Sequence, residues 1–224
     1  MSRHPAVLTS RVFACCLALV CVATLAHAQE TRRARANFEY RLIEQQPVAS
    51  GEKIEVIDFF WYGCPHCYNL QPALEDWIGR KPADVALRRV PVILRDNWAP
   101  HARIYYTLEA LGELERLHQQ VYHGYHVQEL HMSKPDVMAQ WAVRHGIDRQ
   151  KWLDAYDSIG VLQKVQRAKE LTWAYNVQGT PTLVVDGRYL TSSSMAGSER
   201  GMIPILDELI RMAREQRAKK QETR

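Results

Sequence analysis

The chain has 224 residues and a formal charge of +4, with 46% hydrophobic and 24% charged side chains. At about 150 residues per domain this suits one domain carrying an insertion. The composition excludes a disordered, collagen-like or repeat architecture over most of the length, and past the first segment no apolar run nears the roughly 18 residues of a membrane helix.

Residues 1–28 read as a secretory signal peptide. Arg3, His4 and Arg11 precede the apolar stretch Val12 to Leu25, and Ala26-His27-Ala28 closes it with small residues at the two recognition positions. An uncleaved anchor or a buried helix is the alternative, but the run is short for spanning. Lipid attachment fits poorly, since Cys15 and Cys16 come too early and Val20 is an awkward neighbour for Cys21. Cleavage after Ala28 leaves 196 residues with 27 basic and 25 acidic side chains and two cysteines, Cys64 and Cys67. A charge of +2 gives no reason to expect nucleic acid as a partner.

Residues 29–37 are polar and basic, a frayed and solvated arm. Phe38, Tyr40 and Leu42 alternate with charged residues, which predicts a strand near a sheet edge. A turn over 47–51 leads into Lys53 to Trp61, whose nearly unbroken apolar run predicts a central strand covered on both faces. From Pro65 the period becomes helical, with Leu70, Leu74, Trp77 and Ile78 on one face and Pro72 as a kink. Val85 to Leu94 is again strand-like, completing a βαβ unit with a right-handed crossover.

Residues 97–176 contain almost no β-branched clusters. Ile104–Leu111, Leu114–Tyr122, Val137–His145, Trp152–Tyr156 and Leu162–Tyr175 read as helices, a block of about 75 residues set inside an α/β chain. Two short strands then flank Asp186-Gly187, a two-residue hairpin signal with φ > 0 at both positions. The last helix carries Ile203, Leu206, Leu209, Ile210 and Ala213 on one stripe and fades into a solvated basic tail, Arg214 to Arg224. The expected organisation is α/β, with parts at 29–96 and 177–217 separated by the helical segment 97–176 and followed by a tail at 218–224.

Cys64-Pro65-His66-Cys67 stands where the strand ends and the helix begins. Proline is favoured at the first helical position, which makes Cys64 the N-cap. Its sulfur then lies near unpaired N–H groups at the positive end of the helix dipole, so its pKa falls. His66 adds a polar neighbour able to carry charge. Cys67 lies one turn on and faces inward, where desolvation makes it less reactive. Cys64 therefore exchanges with substrate thiols and Cys67 resolves the mixed disulfide. A disulfide across two intervening residues closes almost no loop and is a poor staple.

A zinc site would need further ligands, and no second pair follows at ligand spacing. His118, His123, His126 and His131 read as scattered over a polar helical face, so no metal is expected. Haem attachment needs His directly after the second Cys, and Tyr68 stands there.

Phe59-Phe60 before Cys64-Pro65-His66-Cys67-Tyr68, the helical block, and Gly179-Thr180-Pro181 ahead of a strand resemble the DsbA family of periplasmic thiol:disulfide oxidoreductases. The resemblance runs from about Phe38 to Arg217. It implies a thioredoxin fold with a helical domain inserted between the βαβ half and the cis-proline hairpin half, and it implies no cofactor. Pro181 matches the cis-proline facing the active site, with Thr180 before it as a substrate-binding position. Reduced exported polypeptides, a DsbB-like quinone-linked membrane reoxidase, a periplasmic location and a monomeric state follow from the same likeness. Two positions depart from the family: Thr180 stands where well-known members have Val, and Gln71 where they have an acid one turn after the second Cys. Both bear on redox potential and substrate range.

Oxidation of exported thiols is the leading activity, since a strong oxidant needs a strongly stabilised thiolate in its reduced form. A reductase or isomerase is the alternative within enzymes. A chaperone-like binder using Phe59, Phe60, Trp61 and Tyr62 is the alternative outside them, although strand packing accounts for most of that cluster, leaving Trp61 and Tyr62 at its rim. Asp58 lies six residues before Cys64 in an otherwise apolar strand, on the face of Val56 and Phe60. It is either a structural acid or, with its pKa raised by burial, the acceptor of the Cys67 proton. Members of the family carry an acid at the matching position.

Overall fold

The computed structural model describes residues 33–223; the expected signal peptide, with Cys15, Cys16 and Cys21, lies outside them. The architecture is built around β2 (Ile54–Phe60), in which every residue is buried. Its β-branched and aromatic side chains suit a strand covered on both faces. Helix α1 (Pro65–Arg80) leads from β2 to β3 (Val85–Pro91), which pairs parallel to β2 from Ile54↔Val85 to Phe60↔Pro91. On the other side β4 (Thr182–Val185) runs antiparallel to β2, followed by β5 (Tyr189–Ser192) and the edge strand β1 (Arg41–Leu42), giving the order β1-β5-β4-β2-β3.

Two local readings need correction. The alternation over 38–42 yields a two-residue strand, because Asn37 takes a φ of 61° and turns the chain, leaving Phe38 exposed. The hairpin has positive φ at both Asp186 (53°) and Gly187 (67°), as the dipeptide predicts. Its loop is one residue longer, however, since Val185 pairs with Tyr189 and Arg188 N–H closes on the Val185 carbonyl at 3.1 Å. A Cβ on Gly187 would lie 2.3 Å from the Gln46 carbonyl oxygen, so close approach as well as φ requires glycine there.

All five helices expected between the sheet halves are present: α2 (Ala99–Ala110), α3 (Leu114–His126), α4 (Pro135–Arg144), α5 (Arg149–Tyr156) and α6 (Ile159–Ala174). Side chains of Asp148 and Ser158 cap α5 and α6 by accepting from the N–H groups of Lys151 and Val161. The chain ends in α7 (Ser193–Ala196) and α8 (Met202–Glu222). This order is a thioredoxin fold interrupted after β3 by helices.

Two buried clusters hold it together. One packs Leu70, Leu74 and Trp77 of α1 with Leu206 and Leu209 of α8 and Val56 and Leu183 of the sheet. The Trp77 indole N–H donates to Asp207 Oδ1 at 2.8 Å, tying α1 to α8. The other cluster joins Ile57, Phe59 and Phe60 to Tyr105, Tyr122, Trp141 and Trp152 of the inserted helices. Burial of such aromatics is worth about 2–3 kcal/mol each before entropy is counted.

The C-terminal reading is corrected as well. Helix α8 runs to Glu222, so the segment from Arg214 is helical, and its first arginines are engaged. Arg214 pairs with Asp84 at 2.7 Å, while Arg217 bonds the Asp186 carboxylate and donates to the carbonyls of Glu52 (2.7 Å) and Lys53 (3.1 Å). Arg217 thereby clamps the hairpin and the turn before β2 onto α8. Arg217→Ala should cost about 1–2 kcal/mol, because charge-assisted bonds to partly buried groups are lost. Arg214→Ala, at a more exposed pair, should cost less than about 1 kcal/mol. Urea unfolding midpoints of the two variants check the order.

Candidate active site

The site forms where β2 runs into α1. After Phe60 the chain turns tightly, with Cys64 N–H donating to the Trp61 carbonyl at 3.0 Å. Gly63 allows it: a Cβ there would come within 2.3 Å of the Trp61 indole. Cys64 is the N-cap, with φ −91° and ψ 117°, and Pro65 occupies the first turn. The Tyr68 N–H bonds the Cys64 carbonyl at 3.1 Å, closing the first turn of the helix.

Both cysteines are free thiols in very different surroundings. Cys64 is 6% exposed and Cys67 is fully buried. The Cys64 thiol donates to the Thr180 carbonyl at 3.3 Å, across the gap to the segment before β4. Its pKa is lowered to about 5, chiefly by a hydrogen bond from Cys67 and further by the Thr180 side chain and the N–H groups of Cys67 and His66, against the opposing effect of burial. Cys67 moves the other way. Burial pushes its thiol well up, and proximity to Cys64 and to the Asp58 charge adds to the rise. One turn of helix thus separates an acidic sulfur from a reluctant one.

The Thr180–Pro181 peptide is cis. Both residues line a groove of about 440 Å³, together with Arg41, His66, Leu190 and Met195. His66 stands on the exposed side of the helix start, and its Nδ1 lies 2.5 Å from Glu199 Oε1. Its backbone N–H serves Cys64, while its ring is turned to the acid.

Asp58 is 1% exposed, and neither carboxylate oxygen has a hydrogen-bond partner among the described residues. Its pKa is pushed up to about 6 by burial; Arg89, opposite it in the β2–β3 register, pulls it down, and Glu75 pushes it up. The Asp58 carboxyl thus lies within electrostatic reach of Cys67 without bonding to it directly. Arg89 is itself bonded to Glu75 at 2.7 Å, and Gln119 joins Glu75 to Gln71, whose side chain donates to the Cys67 carbonyl at 3.3 Å.

The aromatic run before Cys64 divides differently from expectation. Tyr62 is fully buried rather than at the rim; its hydroxyl pairs with His118 Nδ1 at 2.8 Å, and its carbonyl meets His126 Nε2 at 2.9 Å. The histidines therefore do not share one polar face: His118 is buried, with its pKa held well down by that burial, and the ring of His126 stacks on Tyr68. Trp61 is half-buried and stacks on Trp98 at 4.0 Å with ring planes 1° apart. Glu199, Glu75 and Trp98 carried no sequence signal, because they reach the site from separate segments at no fixed spacing.

A family model described as DSBA-like thioredoxin domain matches residues 80–201, which takes in the inserted helices and the cis-proline hairpin and begins beyond Cys67. The thiol:disulfide interchange protein DsbA of Burkholderia cepacia is 34% identical over 202 residues, 90% of this chain and 95% of that protein. The protein of the same name from Azotobacter vinelandii is 38% identical over 168 residues, covering 75% of this chain and 78% of the relative. The crystal structure of Pseudomonas aeruginosa DsbA superposes with a TM-score of 0.79 at 34% identity, covering 83% of this chain and 97% of that one.

The unequal thiols give a direct expectation. Alkylation of the reduced protein should modify Cys64 alone, with a pH midpoint near about 5. Thr180→Val should raise that midpoint by losing about 1 kcal/mol of thiolate stabilisation, roughly fivefold in acidity. Mass spectrometry of the labelled peptides across pH 3–8 checks both, and labelling of Cys67 first reverses the assignment.

Proposed function

The chain belongs to the DsbA family, and from that membership we propose that it donates a Cys64–Cys67 disulfide to reduced, newly exported polypeptides, with Cys64 as the sulfur that enters the mixed disulfide. The carrying observation is the unequal pair, an acidic N-cap sulfur beside a fully buried one.

In the oxidising direction a substrate thiolate attacks Cys64 Sγ. The bond to Cys67 breaks, and Cys67 leaves with the electron pair and takes up a proton. A second substrate thiolate then attacks the substrate sulfur, which forms the substrate disulfide and expels Cys64 as a thiolate. Two electrons have passed to the protein. A thiolate of such low basicity is a good leaving group, so the second step is favoured. The substrate segment lies along Thr180 and Pro181 in the groove beside Cys64. In reoxidation Cys67 must attack a mixed disulfide and so lose its proton. Asp58, poised near about 6, accepts it through one bridging water and returns it when Cys67 is next expelled.

The same reading places the enzyme in the periplasm as a monomer, delivered by the signal peptide of residues 1–28 and reoxidised by a DsbB-like membrane protein. Residues 29–96 and 177–217 belong to its thioredoxin part and 97–176 to the inserted domain, while 218–222 continue α8. Among the described residues no helix is long and apolar enough to cross a membrane. A redox titration of the cysteine pair against glutathione, with Cys64→Ser as control, tests the function. A strongly oxidising potential and loss of catalysed oxidation in the variant are expected; full function in the variant would leave only a binding role.

Two further outcomes are expected. The lowered Cys64 pKa stabilises the reduced fold in full only above the ordinary thiol range near 9, and the contribution is lost as pH falls through about 5. At pH 7 about 2–3 kcal/mol remains, whereas the small disulfide loop restrains the unfolded chain little. Urea unfolding should therefore find the reduced protein more stable than the oxidised one at pH 7, with the gap closing toward pH 5. Asp58→Asn should slow Cys67-driven release of a mixed disulfide about tenfold or more and leave Cys64 alkylation nearly unchanged. Stopped-flow release rates between pH 5 and 8 check this, and an unaltered pH profile would make Asp58 structural.

A further inference from the structure

Glu199 sits in the short connection between α7 and α8, far in sequence from the cysteines. The connection is well fixed. Gly197 ends α7 with a φ of 76°, Ser198 Oγ accepts from the Gly201 N–H at 3.0 Å, and the Met202 N–H bonds the Glu199 carbonyl at 3.1 Å. A Cβ on Gly201 would lie 2.7 Å from the Ala196 carbonyl oxygen, so the turn admits little other than glycine there. Ser192 caps α7 at the end of β5, which ties this connection to the sheet.

From this mount the carboxylate reaches the His66 ring, Oε1 to Nδ1 at 2.5 Å. The Glu199 side chain is 23% exposed and the His66 side chain 62% exposed. The acid is held ionised by its own backbone N–H and by His66. The groups that contribute most to stabilising the Cys64 thiolate are the Cys67 thiol, the Thr180 side chain and two backbone N–H groups, one of them that of His66. The other charged group on this groove is Arg41, whose guanidinium donates to the Asn176 carbonyl at 2.8 Å.

We propose that Glu199 is a positioning residue for the redox pair: by holding the His66 imidazole against the α7–α8 connection, it sets a carboxylate against any charge the ring carries, and so moderates the oxidising strength of the enzyme. When the ring is charged, His66 and Glu199 together present no net charge to the Cys64 thiolate. Removing the carboxylate charge frees the ring from the connection and leaves any charge it carries unmatched, so that it acts on the thiolate and stabilises the reduced form further. The inference rests on Cys64 being the exchanging sulfur.

The test compares the parent with Glu199→Gln, His66→Ala and the double variant, each as the reduced full protein. Two readouts are taken: thiolate absorbance of Cys64 against pH, and the equilibrium with glutathione followed across the same pH range. Glu199→Gln should make Cys64 roughly threefold or more acidic and shift the glutathione equilibrium toward the reduced protein by a similar factor. In the His66→Ala background the same change should have little effect, which is the coupling expected of a residue acting through the ring. An unchanged Cys64 titration in Glu199→Gln overturns the proposal, and so does an equal shift with and without His66. If parental Cys64 is not acidic at all, the oxidase reading itself fails, so the two failures are distinguishable.

Discussion

The position of one sulfur at the start of one helix organises this molecule. Cys64 is held at the N-cap because β2 must end, the chain must turn within three residues, and Pro65 can only begin a helix. That junction supplies backbone N–H groups whose partner is a thiolate rather than a neighbouring carbonyl. The sheet order brings the segment before β4 to the same point, so Thr180 meets Cys64 although 116 residues separate them in the chain. Moving the N-cap by a single residue would put a different side chain against Thr180 and dismantle the site.

The buried side of the site follows a different rule. Cys67 and Asp58 both lie where water is excluded, and the Asp58 charge disfavours ionisation of Cys67. Charge is admitted to this region through a chain of contacts to the surface, in which Arg89 and Glu75 lead outward and Gln71 and Gln119 connect them to the Cys67 backbone. Glutamine at position 71 keeps the hydrogen bonding of that chain without adding an anion beside Cys67, and the acid one turn further on, Glu75, faces Arg89 from a more exposed position.

Much of this was legible in the sequence because it depends on local chemistry. Strand β2 announces itself by an apolar run, α1 by a change of period at a proline, and the thiol asymmetry by the spacing of four residues. The five inserted helices follow from periodicity alone. What was not legible depends on contacts between distant segments. Tyr62 reads as a rim aromatic, and only the arrival of α3, with His118 against its hydroxyl, makes it core. Arg214 and Arg217 read as a solvated tail because nothing local shows that Asp84 and Asp186 will lie beside the last helix. Glu199 is one acid among many until the fold sets it against His66.

The complete burial of Cys67 also decides the regiochemistry of exchange. A disulfide offers two electrophilic sulfurs, and displacement at either requires the incoming thiolate to arrive in line with the bond being broken. With Cys67 enclosed by protein, one of the two trajectories is closed, and an incoming thiolate can strike at Cys64 alone. Every external thiol is thereby addressed to one atom, and an adduct at the inner sulfur does not arise.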